Sequence, residues 1–412
     1  MKMGDGKTVI AATAISSLGV PALVVGTKRI VEDVWPAELL KWEHLSSLSY
    51  SAASGPKKKR EAAVASNPDI LGVSYENLQW YLETCDSPRP IVFFDEITKM
   101  KSHSTNRFKA LKKYRGFERA YGLTATPSVE GHVGLWAQWR TVGGDDRLGR
   151  TVTEFRQLFT TPVFKGMFTD YIIPPGKARA IEKLLAPDVF TIPASERPYL
   201  GAPTVLDIPV GWSSKAARDL YLTMEREMVA VFENGDKMAA ASRGVAKNKC
   251  RQIATGFMYG EDREVYRLDD EKIRAVVEAV EELQGEPCLV FYDFIEEKEQ
   301  LLAALPGAKS LEGDNYREFN AGRIPVLVLH PKSCSHGLNL QNSQYAFFSS
   351  VPWSGEQYAQ AVGRIDRQGQ TRQPVVKRFL RAGTVDEEIA AIVDGKIKGD
   401  AEMVARIRER WE

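Results

Sequence analysis

Short unbroken apolar runs, set off by glycine and proline, mark both ends of the chain, while its middle loses that rhythm. Ala22-Leu23-Val24-Val25 after Pro21, Ile70 to Tyr75 after the Asn67-Pro68 break, and Ile91-Val92-Phe93-Phe94 after Pro88 and Pro90 read as strands buried on both faces. Ala120 to Pro127 is a fourth, and Val31 to Trp42 reads as a helix. Strands alternating with helices predict an α/β layer fold on a parallel sheet. Ligands of such sheets gather outside the carboxyl ends of strands, where Thr27, Ser74, Asp95 and Thr124 fall. From about Ser128 to Asp269, Trp136, Trp139, Phe155, Phe159, Phe164 and Phe168 suggest an irregular, mostly helical insertion. Within it, Thr204 to Val210 alternates like a strand and Ser213 to Val231 reads as a helix.

The strand rhythm resumes near Asp270. Ile273, Val276, Val277, Val280 and Leu283 share one helical face, with Asp269 or Asp270 as N-cap. Cys288 to Tyr292, Ile324 to Leu329 and Gln344 to Phe348 are strands, and Ile295 to Leu305 is a helix. Thr384-Val385-Asp386-Glu387 opens a last helix as a capping box. The expected domains are 1–127, 128–269 and 270–412.

The 412 residues suit two or three domains, and 43% hydrophobic with 26% charged residues is an ordinary globular composition. A net charge of +1 draws no particular partner, so any nucleic-acid surface must be a local patch. Cys85, Cys250, Cys288 and Cys334 show no C-x-x-C spacing, which argues against zinc and for a reducing compartment. No apolar run reaches membrane-spanning length, so no membrane partner is expected. Lys57-Lys58-Lys59-Arg60 is a nuclear address or a solvated helix face; its Ala and Glu neighbours favour the face.

Four segments are candidates for chemistry. Gly4-Asp5-Gly6-Lys7-Thr8 before an apolar helix reads as the second half of a phosphate-binding loop or as a Gly-rich helix start. In the first reading, backbone N–H groups and the helix N-terminus receive an anion, Lys7 reaches the β- and γ-phosphates, and Thr8 offers its hydroxyl to Mg²⁺. Asp95-Glu96 ends a buried strand. Either it is a helix N-cap pair, or Asp95 holds Mg²⁺ through water and Glu96 polarises an attacking water. Two strand-like units after the loop, the catalytic reading leads. Arg364 and Arg367 lie three apart, so on a helix they share a face; they suit a phosphate gaining charge, or they are surface arginines beside Asp366. In Ser335-His336-Gly337-Leu338-Asn339-Leu340, Gly337 permits close backbone approach and Asn339 both donates and accepts.

Met-Gly-Asp-Gly-Lys-Thr, Phe-Asp-Glu, Leu-Thr-Ala-Thr-Pro, Gly-Leu-Asn-Leu and Gln-Ala-Val-Gly-Arg-Ile-Asp-Arg-Gln-Gly-Gln occur in this order. They resemble motifs I, II, III, V and VI of superfamily 2 helicases. Leu-Thr-Ala-Thr-Pro, Gly-Leu-Asn-Leu and the closing Arg-x-Gly-Gln are similar to the Swi/Snf-type translocase branch. The resemblance implies two RecA-like parallel-sheet lobes around ATP, the first truncated at its N-terminus and the two separated by the helical insertion. It implies ATP and Mg²⁺ as cofactors, with Lys7, Thr8, Asp95 and Glu96 from the first lobe and Gln360, Arg364 and Arg367 from the second. Thr124 and Thr126 would couple the nucleotide to the nucleic-acid track. Thr27 with Lys28, and Ser74 with Tyr75, resemble strand-gripping motifs; Gly337 and Asn339 belong to the same set. Ile97-Thr98 departs from the common Ala-His or Ala-Asp after the acidic pair.

The expected activity is ATP-driven movement on DNA. Rivals are a strand-separating RNA helicase and a nucleotide-regulated DNA-binding module with little turnover. Duplex DNA is the expected partner, ahead of RNA, with room for a protein partner in a replication, recombination or restriction complex. A monomer in the cytoplasm of a bacterium or phage-infected host is expected, ahead of a nuclear protein. Two basic stretches are candidate tracks: Lys99, Lys101, Arg107, Lys109, Lys112, Lys113 and Arg115, then Arg372, Lys377, Arg378 and Arg381. Backbone contacts position without specifying, so little sequence preference is expected.

Overall fold

A computed structural model describes residues 5–85, 89–114, 116–128, 131–165, 168–191, 202–227, 229–231, 237–239, 243–336, 338, 340–367 and 370–408. The chain forms two compact units, Met1–Arg197 with Lys396–Glu412, and Pro198–Gly395.

In the first unit, α1 (Lys7–Leu18) precedes β1 (Ala22–Gly26), and α2 (Trp35–Lys41) follows it. Then come β2 (Tyr50–Ala53), α3 (Lys57–Ala65), β3 (Ile70–Ser74), α4 (Leu78–Thr84), β4 (Ile91–Asp95), α5 (Asn106–Lys113) and β5 (Arg119–Leu123). The strands pair in parallel in the order β2-β3-β1-β4-β5. Every residue of β1, β3 and β4 is buried, as continuous apolar runs require of central parallel strands. Their alternation divides the core between two faces. Leu23, Val25, Val73, Val92 and Phe94 pack with Phe108, Trp136 and Phe155. Ala22, Val24, Ile70, Ile91 and Phe93 pack with Ala11, Ala12 and Ile15 of α1 and with Trp35. Each Val, Leu, Ile or Phe among them contributes roughly 1.5–3 kcal/mol when fully buried. Gly72 in β3 leaves room for the Tyr50 ring, whose hydroxyl donates to the Val31 carbonyl at 2.5 Å; a Cβ at Gly72 would lie 2.0 Å from that hydroxyl.

The stretch expected as a helical insertion is divided between the units. Its first half, α6 (Leu135–Thr141), α7 (Val152–Phe159), an antiparallel β6 (Thr161–Lys165) and β7 (Phe168–Ile172), and α8 (Pro175–Leu185), belongs to the first. The β6–β7 ribbon departs from the mostly helical expectation. The second unit holds β8 (Thr204–Val210), α9 (Lys215–Glu227), β9 (Val229–Val231), β10 (Lys237–Ala239), α10 (Arg243–Thr255), β11 (Phe257–Tyr259) and β12 (Val265–Arg267). It continues with α11 (Glu271–Glu281), β13 (Cys288–Phe291), α12 (Ile295–Ala304), β14 (Lys309–Ser310), α13 (Tyr316–Asn320), β15 (Val326–Leu329), β16 (Tyr345–Phe348), α14 (Gly355–Val362) and β17 (Val375–Arg381). The last helix is α15 (Val385–Arg408).

The second sheet is also parallel, in the order β14-β15-β13-β16-β17-β8. The β8 strand joins it by pairing with β17 from Thr204↔Val375 to Val210↔Arg381. Val276, Val290, Val328, Phe347 and Phe379 form its core. No described helix is long and apolar enough to cross a membrane.

Candidate functional site

In the first unit the helix α1 starts directly after Gly6, whose φ of 75° is left-handed and natural only to glycine. Among the described residues no side chain caps this helix, which suits its first N–H groups to receive an anion. Gly4 lies outside the described residues; Asp5, Lys7 and Thr8 follow the expected order into the helix.

The end of β4 carries the acidic pair. Asp95 is 8% exposed, and its Oδ2 accepts from the indole N–H of Trp35 at 3.0 Å. Burial pushes its carboxyl up to about 6. The Trp35 bond and the Lys7 charge oppose that rise, and the neighbouring Glu96 charge adds to it. The Lys7 ammonium thus acts electrostatically on the Asp95 carboxylate. An uncapped helix start, an ammonium and a carboxylate with one oxygen tied down are donors that fit a polyphosphate and a hard, oxygen-seeking Mg²⁺.

Glu96 has φ 62° and ψ 62°, a left-handed backbone that costs a non-glycine residue about 1–2 kcal/mol. The Tyr75 hydroxyl lies 3.2 Å from the Asp95 carbonyl oxygen and 3.1 Å from that of Glu96, sharing its hydrogen between them. The side chain is held as firmly. Glu96 Oε1 accepts from Thr98 Oγ1 at 2.9 Å and from Thr124 Oγ1 at 2.8 Å, and Thr124 Oγ1 in turn accepts from the Thr126 N–H at 3.0 Å. Thr124 and Thr126 are thus gathered at Glu96. Thr27 directly follows β1 and Ser74 ends β3, and both are buried. Lys28 is exposed and pairs with Glu32 at 4.0 Å.

In the second unit α14 ends at Val362, so Arg364 and Arg367 lie beyond the helix on which the spacing placed them. They converge by another route: both donate to the Leu338 carbonyl, at 2.8 and 2.9 Å. Gln360 is buried within α14 beside Glu356. The Gly-Leu-Asn-Leu and arginine segments are brought together; Gly337 and Asn339 themselves lie outside the described residues.

The two basic stretches part company. Lys101, Lys109, Lys112 and Lys113 are exposed, whereas Arg107 folds inward and donates to the Lys99 carbonyl at 2.6 Å; Arg115 lies outside the described residues. The second stretch is not the open phosphate track expected of it. Arg378 is held by Asp207 and Asp394, Lys377 by Glu282 and Arg372 by Glu286, and Arg381 is wholly buried against Asp269. Because β17 is flanked by strands on both sides, its cations need local partners.

Sequence reading missed Trp35, Thr98 and the true direction of Tyr75. Only Thr98 left a trace, as the departure after the acidic pair.

Residues 271–369 match the helicase conserved C-terminal domain. Over 94% of its length the chain is 33% identical to the p41 protein of Acyrthosiphon pisum secondary endosymbiont phage 1, covering 89% of that protein. The chain belongs to the Swi/Snf-type branch of the superfamily 2 helicases and translocases. Among other relatives, the YwqA protein of Bacillus subtilis, named as an ATP-dependent helicase/translocase, is 21% identical over 91% of the chain, which spans 42% of YwqA. The DNA repair protein RAD5 of Yarrowia lipolytica is 34% identical over 20% of the chain, or 8% of RAD5. The Sulfolobus solfataricus SWI2/SNF2 ATPase core, solved in complex with dsDNA, is 18% identical with a TM-score of 0.44, over 94% of this chain and 84% of that one. For this Swi/Snf-type chain, membership implies ATP hydrolysis.

Proposed function

We propose that the protein is a DNA translocase that hydrolyses ATP at the acidic turn ending β4 and couples the reaction to movement on DNA. The observation that carries this reading is Glu96, held left-handed with one carboxylate oxygen tied to Thr98 and Thr124. A carboxylate fixed in this way beside Asp95 and Lys7 suits a base that polarises water. The names of YwqA and RAD5, a helicase/translocase and a DNA repair protein, support DNA as the track.

In this reading Gly4, Asp5, Gly6, Lys7 and Thr8 bind the nucleotide phosphates, and Thr8 and Asp95 hold Mg²⁺. The cation supplies neutralising charge on the phosphate oxygens. Trp35 orients Asp95 by occupying Oδ2, and the other carboxylate oxygen would serve the cation. Glu96 Oε2 takes hydrogen-bond hold of the attacking water, while Thr124 and Thr126 tie that carboxylate to the nucleic-acid side. Gln360, Arg364 and Arg367 act on the transferred phosphoryl group, as the family resemblance implies. The exposed lysines at 101, 109, 112 and 113 neutralise DNA phosphates, with Lys28 beside them in role and Gly337 and Asn339 in the second lobe's share.

Phosphate release measured with duplex DNA, single-stranded DNA and RNA tests the reading. Duplex DNA should stimulate most, Lys7→Ala should abolish turnover, and Glu96→Gln should cut it about 10²–10⁴-fold, the range of a lost general base. Wild-type turnover in Glu96→Gln, or no response to DNA, would overturn it; stronger stimulation by RNA would overturn the DNA assignment.

A further inference from the structure

Tyr75 follows β3, in a segment that resembles a strand-gripping motif, yet the ring is 2% exposed and its hydroxyl bonds inward to the acidic turn. The two carbonyls it reaches belong to the peptide planes on either side of the Glu96 α-carbon. A single donor bridging both planes fixes the φ and ψ of Glu96 together. Without it, that backbone has every reason to relax toward negative φ, and such a rotation would carry the carboxylate away from Thr98 and Thr124.

The other side of the ring leads toward the exposed lysines. The Arg107 guanidinium, carried on α5, lies over the Tyr75 ring at 5.5 Å from its centroid, while Nη2 donates to the Lys99 carbonyl. Its Nε is buried with no partner among the described residues. Arg107 thus stands between the lysine-bearing surface of α5 and the tyrosine that sets Glu96.

We propose that Tyr75 is a positioning residue, and that with Arg107 it transmits nucleic-acid binding at α5 to the water-polarising Glu96; this rests on the ATPase reading above. A phosphate bound at Lys109 or Lys112 changes the field and packing felt by Arg107. Arg107 bears on the ring, and the hydroxyl sets the carboxylate.

The test is a double-mutant cycle on the full chain with Tyr75→Phe, which keeps the ring and loses only the hydroxyl, and Arg107→Gln. DNA-stimulated kcat should fall between about 10- and 10²-fold in Tyr75→Phe, the scale of a catalytic group displaced by an ångström. The KM for ATP, affinity for a fluorescent ADP analogue and affinity for duplex DNA should stay within about twofold. Arg107→Gln should lower stimulation less, and the double variant should be no worse than Tyr75→Phe alone. Three results would overturn the proposal: kcat of Tyr75→Phe within about twofold of wild type, nucleotide affinity lost along with turnover, or independent multiplying effects of the two substitutions. Glu96→Gln measured alongside separates the two readings. If it leaves turnover intact, the ATPase assignment fails; if it abolishes turnover while Tyr75→Phe does not, only the relay fails.

Discussion

Asp269 in the second unit and Asp95 in the first are both buried, and their charges are met in opposite ways. Asp269 in the second unit is 7% exposed and fully partnered. Its Oδ1 accepts from Arg381 at 2.9 Å and from the Glu271 N–H at 3.0 Å; its Oδ2 accepts from the N–H groups of Ser213 and Ser214 and from the Ser213 hydroxyl. Burial raises its carboxyl, but the Ser214 N–H, Arg381 and the remaining donors together hold it below its ordinary value. Asp95 in the first unit is as little exposed, yet the Trp35 indole, the Lys7 charge and the Glu96 N–H do not outweigh burial and the second carboxylate beside it. A structural aspartate has its electrostatic cost offset by the fold. One kept for a ligand carries that cost until the ligand arrives.

The largest expected effect lies on the structural side. Asp269→Asn keeps the shape but leaves the wholly buried Arg381 without its counter-charge, and should cost about 3–5 kcal/mol, read as a lower urea midpoint for the second unit. A loss under about 1 kcal/mol would mean that the carbonyls of Ala254 and Gly211, which Arg381 also reaches, suffice to hold it.

Asp95→Asn should do the reverse. It should remove turnover yet stabilise the protein at pH 7 by on the order of 1–3 kcal/mol, because it deletes a buried charge with weak compensation. The sign follows from the raised folded-state pKa. Protonated Asp95 is the form the fold prefers, so its contribution is whole below about pH 4 and is lost as pH rises through about 6. The stability difference between Asp95→Asn and wild type should therefore widen from pH 4 to 6 and then level off. For Asp269 the window lies on the acid side: its folded-state pKa is depressed, so its contribution is held above the unfolded value and lost as pH falls through the lower one. A flat difference curve for Asp95→Asn would erase the contrast between the two sites.

What the sequence disclosed follows the same division. Central strands such as β1, β4, β13 and β15 were legible because burial on both faces demands continuous apolar residues. Among edge strands, β8 showed by its alternation and β5 by its run from Ala120, whereas β2, which reads Tyr-Ser-Ala-Ala and is half exposed, did not, nor did β6 of the ribbon, which carries a proline. At the start of α11, Asp270 occupies the cap position but makes no side-chain cap, while Asp269 takes the Glu271 N–H, so the choice between them needed coordinates. The acidic pair was visible as charge after a buried run. Its supports were not, since Trp35 and Tyr75 reach it from 60 and 20 positions away and each alone is an ordinary core aromatic. Charge counting failed in the second basic stretch for a related reason. Arg378 and Arg381 sit on an inner strand, where a cation is admitted only with a carboxylate, and their acids lie far off in sequence at Asp207 and Asp269.

The smallest expected effect tests whether the first basic stretch escapes that fate. The short helix α5 turns Phe108 and Leu111 inward and leaves Lys109, Lys112 and Lys113 in solvent. Changing the three lysines to glutamine preserves helix propensity and touches no buried contact, so stability should move by less than about 0.5 kcal/mol. Affinity for duplex DNA should drop, and the slope of log K against log salt should flatten by about 0.9 for every phosphate contact removed. Arg372→Gln makes the matched control, since its guanidinium already pairs with Glu286 at 2.5 Å and should leave that slope untouched. If the control flattens the slope as much as the lysines do, pairing with a surface carboxylate does not remove a cation from the DNA-binding surface, and the second stretch must be counted back in. If only the lysines matter, neutralisation by the fold separates structural cations from functional ones in this protein, just as it separates Asp269 from Asp95.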